Sequence, residues 1–568
     1  MVAFALVPLL LAGSPLFALA APLEGLTTTA SVKGVPIFPP INSGILCQLP
    51  IFQAICAVVS KSSAPKTGVQ VTTAIGVAQG VSDGSGAHRF PVKYASAARW
   101  AASTVSTKWS FPTGATNASG LPLACPQPLV DPSSYTEDCL SMILYVPTTL
   151  KAGSNVPTLM WIHGGSFIAG SATAPGLDGS NLAIATNSIV AVIQYRLGAL
   201  GFMAPSGATN LAVKDTINAM NFLAKVVPAF GGASNKITLA GQSSGAGMIR
   251  ALLATPSASS LFQSAILQSD PMNYGFLNAS TQVTLQSTFN DLTGCSATNT
   301  ACLNKLSLDS IVDAQVTLGN EAPFIDPSTG FAEPIRPVRD GSLITSPLDL
   351  TAAFPSVNKP ILLSNVKNEA GTTIYGMFDG DASSSSFTQA CQESLGDDRT
   401  ALVQTSPFYN ITGLADTRVP LELLGTDYQW RCPTWSLARS WVGKGGKAFV
   451  GVYYTGATYP ANNGVAFCLE SGSVCHQDDI EIVFGTVPSP STAQAALTKE
   501  MQTRYKAFLT TGNPNVAGLT PWTAATMTDV HAHQLGGTPS PSGEVPVGAC
   551  DPSFWGSAVQ YDYQVYGI

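Results

Sequence analysis

The chain has 568 residues, of which 45% are hydrophobic and only 11% are charged. This composition excludes a disordered, highly solvated chain and provides ample material for a packed core. The formal net charge is -7 at pH 7, and Lys and Arg form no block that could bind a phosphate backbone or an anionic membrane. Nucleic-acid binding is therefore excluded.

Residues 1–20 are predicted to be a cleaved secretion signal. Residues 2–12 are apolar, and Ala18-Leu19-Ala20 before Ala21-Pro22 resembles a signal-peptidase site, which needs small residues at 18 and 20. A membrane-spanning helix would need roughly 20 apolar residues, and Gly13-Ser14-Pro15 interrupts the stretch too early. We therefore expect a secreted, extracellular protein without a stable membrane anchor.

The rest of the chain is predicted to consist of an arm and one large domain. Residues 21–65 are rich in Pro, Ser and Thr and are predicted to be loosely attached, whereas residues 66–568 are predicted to form the domain. The eleven cysteines should mostly be paired in an oxidising environment, with one left over. Glycosylation sequons occur at Asn117, Asn278 and Asn410, although such tripeptides also arise by chance.

Apolar, β-rich segments recur between helical stretches. Because they lack strict alternation, they are typical of strands buried on both faces, so we expect an α/β protein with a mostly parallel sheet flanked by helices. Residues 381–386 are predicted to be a surface loop. The predicted strands are Thr158–Ile162, Ile189–Tyr195, Ile237–Ala240, Ala265–Leu267, Ile361–Leu363 and Ala448–Tyr453.

Ser243 lies in a G-x-S-x-G motif between an apolar strand and a helix-like stretch. This context predicts a nucleophile elbow, in which a sharp turn projects the serine above the sheet. The motif alone is weak evidence in a chain with 52 glycines. Ser82 also fits the motif, but it is rejected because no buried strand precedes it and no helix follows.

An oxyanion hole is predicted from the strand that runs into Gly164 and Gly165. In proteins with a nucleophile elbow such a loop faces the serine. The N–H groups of Gly165 and Ser166 would therefore join that of Ser244. An ordinary glycine turn is the alternative interpretation of this segment. The donors would stabilise negative charge on the oxygen of a reacting carbonyl.

Proteins with a nucleophile elbow carry the serine, the acid and the histidine in that order along the chain. This order points to His476 as the base. Two histidines precede the serine, and His531 and His533 lie in a polar stretch near the end of the chain. Glu369 follows a buried strand, where the acid that orients the base is expected. The rival carboxylates are Asp270, Asp379, Asp478 and Asp479, of which the last two are predicted to be structural because they adjoin His476.

These features together resemble the type-B carboxylesterase family, which includes fungal secreted lipases and the cholinesterases. The likeness extends from about Gly68 to Gly556, and its motifs are Thr136–Leu140, His163–Phe167, Gln194–Phe202, Phe230–Gly232, the elbow, Asn365–Gly371, His476 and Val483–Gly485. The resemblance implies the α/β-hydrolase fold, a triad of Ser243, Glu369 and His476, and the same oxyanion hole. Two residues depart from it, since Gln242 and Ala370 stand where members usually have Glu and Gly.

The resemblance also implies three disulfides, Cys125–Cys139, Cys295–Cys302 and Cys432–Cys550. Proximity in sequence adds two further pairs, Cys47–Cys56 and Cys468–Cys475, which leaves Cys391 as the odd cysteine. The pair Cys468–Cys475 would stiffen the loop that carries His476.

The expected activity is hydrolysis of small-molecule carboxylic esters without a metal or organic cofactor. In the family the loop closed by the first disulfide covers the active-site entrance, and here only thirteen residues lie between Cys125 and Cys139. So short a loop, without Trp, favours a general esterase over a lipase with a large lid or a choline esterase. A lipase or sterol esterase acting on long-chain esters is the alternative, followed by a non-catalytic binding protein of cholinesterase-like fold.

Overall fold

The computed structural model describes residues 66–82, 84–330, 333–349 and 351–555. The predicted secretion signal at 1–20, the whole arm at 21–65 and the pair Cys47–Cys56 therefore lie outside the described residues. Among the described helices, none combines the length and the apolar character that a membrane crossing requires.

Eleven of the strands in the described part of the chain form one sheet, in the order β1-β2-β3-β6-β8-β7-β9-β10-β13-β14-β15. The seven strands β8, β7, β9, β10, β13, β14 and β15 run parallel to one another. The antiparallel strands lie at the β1 edge of the sheet. The strands are β1 Lys66–Thr73, β2 Gly76–Ser82, β3 Ala87–Lys93, β4 Ala95–Ser96, β5 Thr104–Val105, β6 Ser141–Pro147, β7 Val156–Ile162, β8 Ile189–Ile193, β9 Gly232–Gln242, β10 Ser264–Gln268, β11 Leu277–Asn278, β12 Val338–Arg339, β13 Ile361–Val366, β14 Ala448–Tyr453 and β15 His533–Leu535.

The six predicted strands correspond to β7, β8, β9, β10, β13 and β14, so the expected mostly parallel sheet is confirmed. Strands β7, β8, β10, β13 and β14 are buried along their whole length, which explains why they lack an alternating pattern. Their register aligns the carboxyl ends, since Gln268 is paired with Gln242 on one side and with Ser364 on the other. Loops that leave β9 and β13 therefore start at the same edge of the sheet.

The sheet separates two large apolar clusters, since Met160 and Ile162 of β7 belong to one and Leu159 and Trp161 to the other. Helices cover these clusters on the two faces. A π-helical turn at Asp427–Arg431 joins the helix Arg418–Thr426 to the helix Cys432–Gly443. The helices are α1 Ser180–Thr186, α2 Gly198–Phe202, α3 Leu211–Val226, α4 Ser244–Leu253, α5 Ala279–Thr293, α6 Thr300–Lys305, α7 Leu308–Ile325, α8 Gly371–Met377, α9 Ser384–Leu395, α10 Asp397–Gln404, α11 Arg418–Thr426, α12 Cys432–Gly443, α13 Ile480–Phe484 and α14 Thr492–Thr511.

The predicted loop at residues 381–386 is only partly a loop. Helix α9 begins at Ser384, because the side chain of Ser383 accepts a hydrogen bond from the N–H of Ser386 and caps the first turn. The run of serines that indicated a loop contains the cap and the exposed first residues of a helix whose other face is buried. Serine favours both loops and helix caps.

Four of the predicted cysteine pairs form disulfides in the structure: Cys125–Cys139, Cys295–Cys302, Cys432–Cys550 and Cys468–Cys475. Cys391 is a buried free thiol, and burial raises its pKa to about 12. A thiol in such surroundings is a poor nucleophile, since the thiolate is the reactive form.

Candidate active site

Ser243 stands at the junction of β9 and α4. Its backbone has φ 57° and ψ -131°, a strained combination for a residue with a side chain. A Cβ at Gly245 would clash with the carbonyl oxygen of Ile162, and one at Gly241 would lie 2.7 Å from the same oxygen. Both glycines are therefore needed for the close approach of β7, β9 and α4 that the predicted elbow requires.

His476 and Glu369 form the closest contact between ionisable groups at this edge. The Nδ1 atom of His476 lies 2.6 Å from Oε2 of Glu369, and both side chains are buried. The other carboxylate oxygen of Glu369 accepts a hydrogen bond from the N–H of Val366, 2.9 Å away. Burial lowers the pKa of His476, but the hydrogen bond and the charge of Glu369 outweigh it, so the net shift is upward.

Backbone contacts join the acid loop, residues 367–370 after β13, to the histidine loop, residues 454–479 after β14. Asn368 donates its N–H to the carbonyl oxygen of Val474 at 2.9 Å and is bridged to Cys475, so the residues before Glu369 and before His476 lie side by side. Asp478 accepts the N–H of Cys475 at 2.7 Å, and Asn462 donates to the carbonyl oxygen of His476 at 2.8 Å. The separation of Glu369 and His476 is therefore set by main-chain pairing rather than by their side chains alone.

Three backbone donors lie beside the elbow. No described residue accepts a hydrogen bond from the N–H of Gly165, Ser166 or Ser244. Gly165 and Ser166 have φ of 114° and 53°, and a Cβ at Gly165 would clash with the carbonyl oxygen of Ala169. Ser244 is the first residue of α4, where a helix leaves its N–H groups unpaired and its dipole is positive.

Contacts from Tyr195 and Gln127 hold the loop at residues 163–170 in place. The ring of His163 stacks on Tyr195 with centroids 4.7 Å apart, and the Tyr195 hydroxyl donates to the carbonyl oxygen of His163 at 3.0 Å. Burial lowers the pKa of His163 to about 4, so this ring is neutral. Gln127, inside the Cys125–Cys139 loop, exchanges two hydrogen bonds of 2.9 Å with the backbone of Gly170.

The imidazole of His476 contacts two residues that the sequence did not indicate as its neighbours. Nε2 of Gln242 lies 3.2 Å from Nε2 of His476, and Trp430 packs against the imidazole with ring centroids 5.5 Å apart. Trp430 belongs to the π-helical turn, a feature often found at functional sites. Among the described residues, no hydrogen bond joins Ser243 to the imidazole of His476.

The rival carboxylates are engaged elsewhere or exposed. Asp270 forms an ion pair with Arg250 at 2.9 Å, and Asp379 lies on the surface. Asp478 binds backbone N–H groups of the histidine loop, while Asp479 accepts from Gln268, so neither orients the His476 ring.

The three sequons lie on or near the surface. Asn117 and Asn410 are exposed, and Asn278 is partly buried, with its side-chain oxygen capping α5. Glycosylation at these positions stays a prediction.

Two groups of potential metal ligands occur in the described part of the chain, both outside the elbow. Asp427 lies near Cys432 and Cys550, but these cysteines are joined in a disulfide. Asp529, His531 and Glu544 form the other group, with His531 Nδ1 3.2 Å from Glu544. These contacts are those of ordinary ion pairs, and the prediction of a cofactor-free reaction stays a prediction.

Comparison with known proteins identifies the family of this chain. The carboxylesterase family model matches residues 67–544. The chain is 28% identical to the Crystal protein of Dictyostelium discoideum over 361 residues, which cover 62% of this chain and 64% of that protein. It is 27% identical to liver carboxylesterase 1 of Mus musculus over 422 residues, or 69% of this chain and 72% of that protein.

A solved structure of a PNB esterase superposes with a TM-score of 0.68 at 23% identity, covering 83% of this chain and 96% of that one. This likeness and the observed sheet confirm the predicted α/β-hydrolase fold. The match to the family model covers most of the chain, including the elbow, the acid loop and the histidine loop. The chain therefore belongs to the carboxylesterase family.

Proposed function

We propose that the protein hydrolyses carboxylic esters by an acyl-enzyme mechanism in which Ser243 is the nucleophile, His476 the general base and Glu369 the residue that orients the base. The observation that carries this proposal is the 2.6 Å contact between His476 and Glu369 beside a strained elbow. Membership of the carboxylesterase family supports the same reaction class.

The first chemical step is attack of Ser243 Oγ on the ester carbonyl carbon while His476 Nε2 takes the hydroxyl proton. Glu369 accepts from Nδ1–H, which leaves Nε2 as the proton acceptor, and its charge stabilises the imidazolium that forms. The carbonyl oxygen becomes an oxyanion, which the N–H groups of Gly165, Ser166 and Ser244 stabilise. Removing one such donor typically costs roughly 3 kcal/mol of transition-state stabilisation.

The second half of the reaction repeats this chemistry with water. His476 returns its proton to the departing alcohol, so the acyl group remains on Ser243 as an ester. A water molecule then attacks the acyl-enzyme while His476 takes its proton, and the acid leaves as Ser243 is regenerated. Every proton is thus carried by one imidazole, and the reaction needs no redox partner.

A small-molecule ester is the proposed substrate, and a general esterase is favoured over a lipase. The loop closed by Cys125–Cys139 is short and is tied to Gly170 through Gln127, so it does not resemble a large movable lid. Several relatives are named as esterases, including the para-nitrobenzyl esterase of Bacillus subtilis.

Secretion is part of the proposal and has its own test. The leader-like pattern at residues 1–20 and the four disulfides support export to an oxidising compartment. Expression of the full chain in a secreting host should yield protein in the medium whose first residue lies close to Ala21. Cell-retained protein that keeps residues 1–20 would contradict this proposal, and a mass decrease with an N-glycosidase would report glycans at Asn117, Asn278 or Asn410.

The test of the reaction uses p-nitrophenyl esters from acetate to palmitate with the wild type, Ser243→Ala and Glu369→Gln. We expect hydrolysis of short-chain esters, loss of activity in Ser243→Ala, and a fall in kcat of about 10³-fold or more in Glu369→Gln. A long-chain optimum would favour a lipase or sterol esterase instead. A wild type that neither hydrolyses these esters nor reacts at Ser243 with a phosphonylating reagent would favour the non-catalytic binding protein.

A further inference from the structure

Glu333 is a buried carboxyl group that the mechanism above does not use. Glu333 lies between α7 and β12 and is 8% exposed, and its backbone has a φ of 53°. Positive φ is strained for a residue with a side chain, and burial of an acid is unfavourable unless it gains a partner. A buried acid on a strained backbone therefore requires a local explanation.

The two arginines whose charges lower the pKa of Glu333 donate hydrogen bonds to other groups. Arg250 donates from Nε and Nη2 to the carboxylate of Asp270, at 2.9 and 3.2 Å. The guanidinium of Arg336 donates to backbone carbonyl oxygens, including those of Gly275 and Tyr274 and that of Glu333 itself. No described residue forms a hydrogen bond or an ion pair with the Glu333 carboxylate, so its charge has no direct partner within the chain.

Hydrogen bonds join the segment of Glu333 to the loop that follows β10. Arg336 donates to the carbonyl oxygen of Glu333 and to those of Tyr274 and Gly275 in that loop. Gln429 donates to the carbonyl oxygen of Pro271 in the same loop at 3.2 Å, and the neighbouring Trp430 packs on the imidazole of His476.

The charge of Glu333 acts in the same region. It contributes to the raised pKa of Tyr195, after burial, and it acts on the pKa of His476, after burial, Glu369 and Asp479. Asp270, whose charge raises the pKa of Glu333 after burial, follows β10, and its Oδ1 lies 3.5 Å from the position of a Cβ on Gly247, in the first turn of α4. The segment of Glu333 therefore lies against the loop that borders the His476 ring.

A bound cation would change the ionisation of Glu333 near neutral pH. Burial, followed by the negative charge of Asp270, raises the pKa of Glu333 to about 7. A cationic donor bound next to the group would favour the carboxylate form and supply the missing partner. A purely apolar substrate would cover the group without pairing it, which is unfavourable.

We propose that Glu333 is a substrate-binding residue that selects esters whose acyl or alcohol part carries a protonated amine. The inference rests on the proposed function, since it names the substrate class of the same site. A protonated amine satisfies two requirements together, because its charge complements the carboxylate and its N–H donates the hydrogen bond that no described residue supplies. A polar group bound here would also fix the orientation of the ester relative to Ser243.

The experiment compares esters that differ only in a nitrogen atom. On the alcohol side, 2-(dimethylamino)ethyl butyrate is matched by 3-methylbutyl butyrate. On the acyl side, ethyl 4-(dimethylamino)butanoate is matched by ethyl 5-methylhexanoate. The readout is the ratio of kcat/KM for the amine to kcat/KM for its isostere, measured by pH-stat titration, because this ratio cancels partial loss of folded enzyme.

We expect a ratio of about tenfold or more in at least one pair for the wild type, because a buried, charge-assisted hydrogen bond discriminates at this level. Glu333→Gln should bring the ratio close to one, and Glu333→Asp should retain part of the preference. The matched control is Glu481→Gln, which removes another carboxyl whose pKa is raised by burial but whose charge acts on Tyr459. The control should keep the wild-type ratio.

Two results would overturn the inference while leaving ester hydrolysis intact. One is a wild-type ratio of one or less in both pairs, and the other is a ratio in Glu333→Gln that equals that of the wild type. Failure of the wild type to hydrolyse any of the four esters or the p-nitrophenyl esters would instead overturn the proposed function, and the inference with it.

Discussion

The side-chain amide of Gln242 contacts the imidazole of His476, with the two Nε2 atoms 3.2 Å apart. Gln242 is fully buried, and its amide oxygen has no hydrogen-bond partner among the described residues. The ring of the proposed base is thus bounded by the carboxylate of Glu369 at Nδ1 and by a neutral amide at Nε2. The charge at this second position should tune the pKa of His476.

Gln242→Glu should move the acidic limb of the kcat/KM profile to higher pH. A carboxylate next to Nε2 stabilises the imidazolium, so the pKa of His476 should rise by about one unit or more. Because His476 accepts a proton only when neutral, the variant should be less active at acidic pH relative to its own plateau. Hydrolysis of p-nitrophenyl butyrate across the pH range measures this shift.

The matched control for this substitution is Gln242→Met, which has similar size but no charge. Its acidic limb should stay close to that of the wild type. If Gln242→Glu also left the limb in place, the amide would not adjoin the ring in solution.

Removing the Cys468–Cys475 bridge should reduce catalysis as well as stability. The bridge ends at the residue before His476 and closes a short loop, for which chain entropy gives a stabilisation of about 2 to 3 kcal/mol. In Cys468→Ala/Cys475→Ala we expect a lower melting temperature and a fall in kcat of about tenfold, since small misplacements of a catalytic group are costly.

The Cys295–Cys302 bridge offers a matched control, because it has the same sequence separation of 7 and follows α5, away from the histidine loop. Cys295→Ala/Cys302→Ala should lose comparable stability and keep kcat. Equal kcat values in the two double variants at a temperature where both are folded would show that the bridge does not position His476.

Gly165→Ala should abolish most of the activity. The added Cβ would clash with the carbonyl oxygen of Ala169 at a residue whose φ is 114°, so the loop must shift and move two N–H donors. We expect kcat to fall by about 10²-fold or more. Gly153→Ala is the control, because Gly153 also has positive φ, 88°, but has open space around it. Similar losses of kcat in both variants would argue against the proposed donors.

Glu422 should make stability depend on pH. Burial raises its pKa from 4.5 to about 7, against the opposing effect of hydrogen bonds from Thr426 and Asn368. A raised folded-state pKa means that the folded protein binds the proton more tightly, so this group lowers stability as the pH rises from about 4.5 to 7. The full effect has an upper value of about 3 kcal/mol.

Glu422→Gln should remove this contribution. Urea unfolding of both proteins at pH 5 and at about pH 8 should show that the wild type loses more stability between the two conditions than the variant does. Glu470→Gln, at an exposed position, should behave as the wild type does. Parallel pH dependence in the wild type and Glu422→Gln would contradict the expected role of Glu422.

Local signals accounted for the sheet and for the choice of candidate residues. Long apolar segments such as 158–162 and 448–453 predict buried strands because the pattern needs no partner to be recognised. The glycines around Ser243 predict an elbow because they permit a backbone that other residues resist. The error at residues 384–386 has the same origin, since serine caps helices and also populates loops.

Local sequence signals did not predict contacts between residues that lie far apart in the chain. Gln242 and His476 are 234 residues apart in the chain, and the ring of His476 also packs on Trp430. Glu333 carries no motif and looks like an ordinary surface acid in a polar stretch. Its burial depends on the packing of the segment between α7 and β12, which no local pattern describes.

The sequence by itself determined which residues were candidates for the chemistry, because the elbow, the glycine loop and the order of serine, acid and histidine are local or ordinal features. Only the tertiary structure decided the distances, since the pairing of Asn368 with Val474 and Cys475 brings Glu369 to His476. It also decided the surroundings of Gln242 and Glu333. Burial and electrostatic environment are properties of the packed chain, and they depend on contacts between residues that lie far apart in sequence.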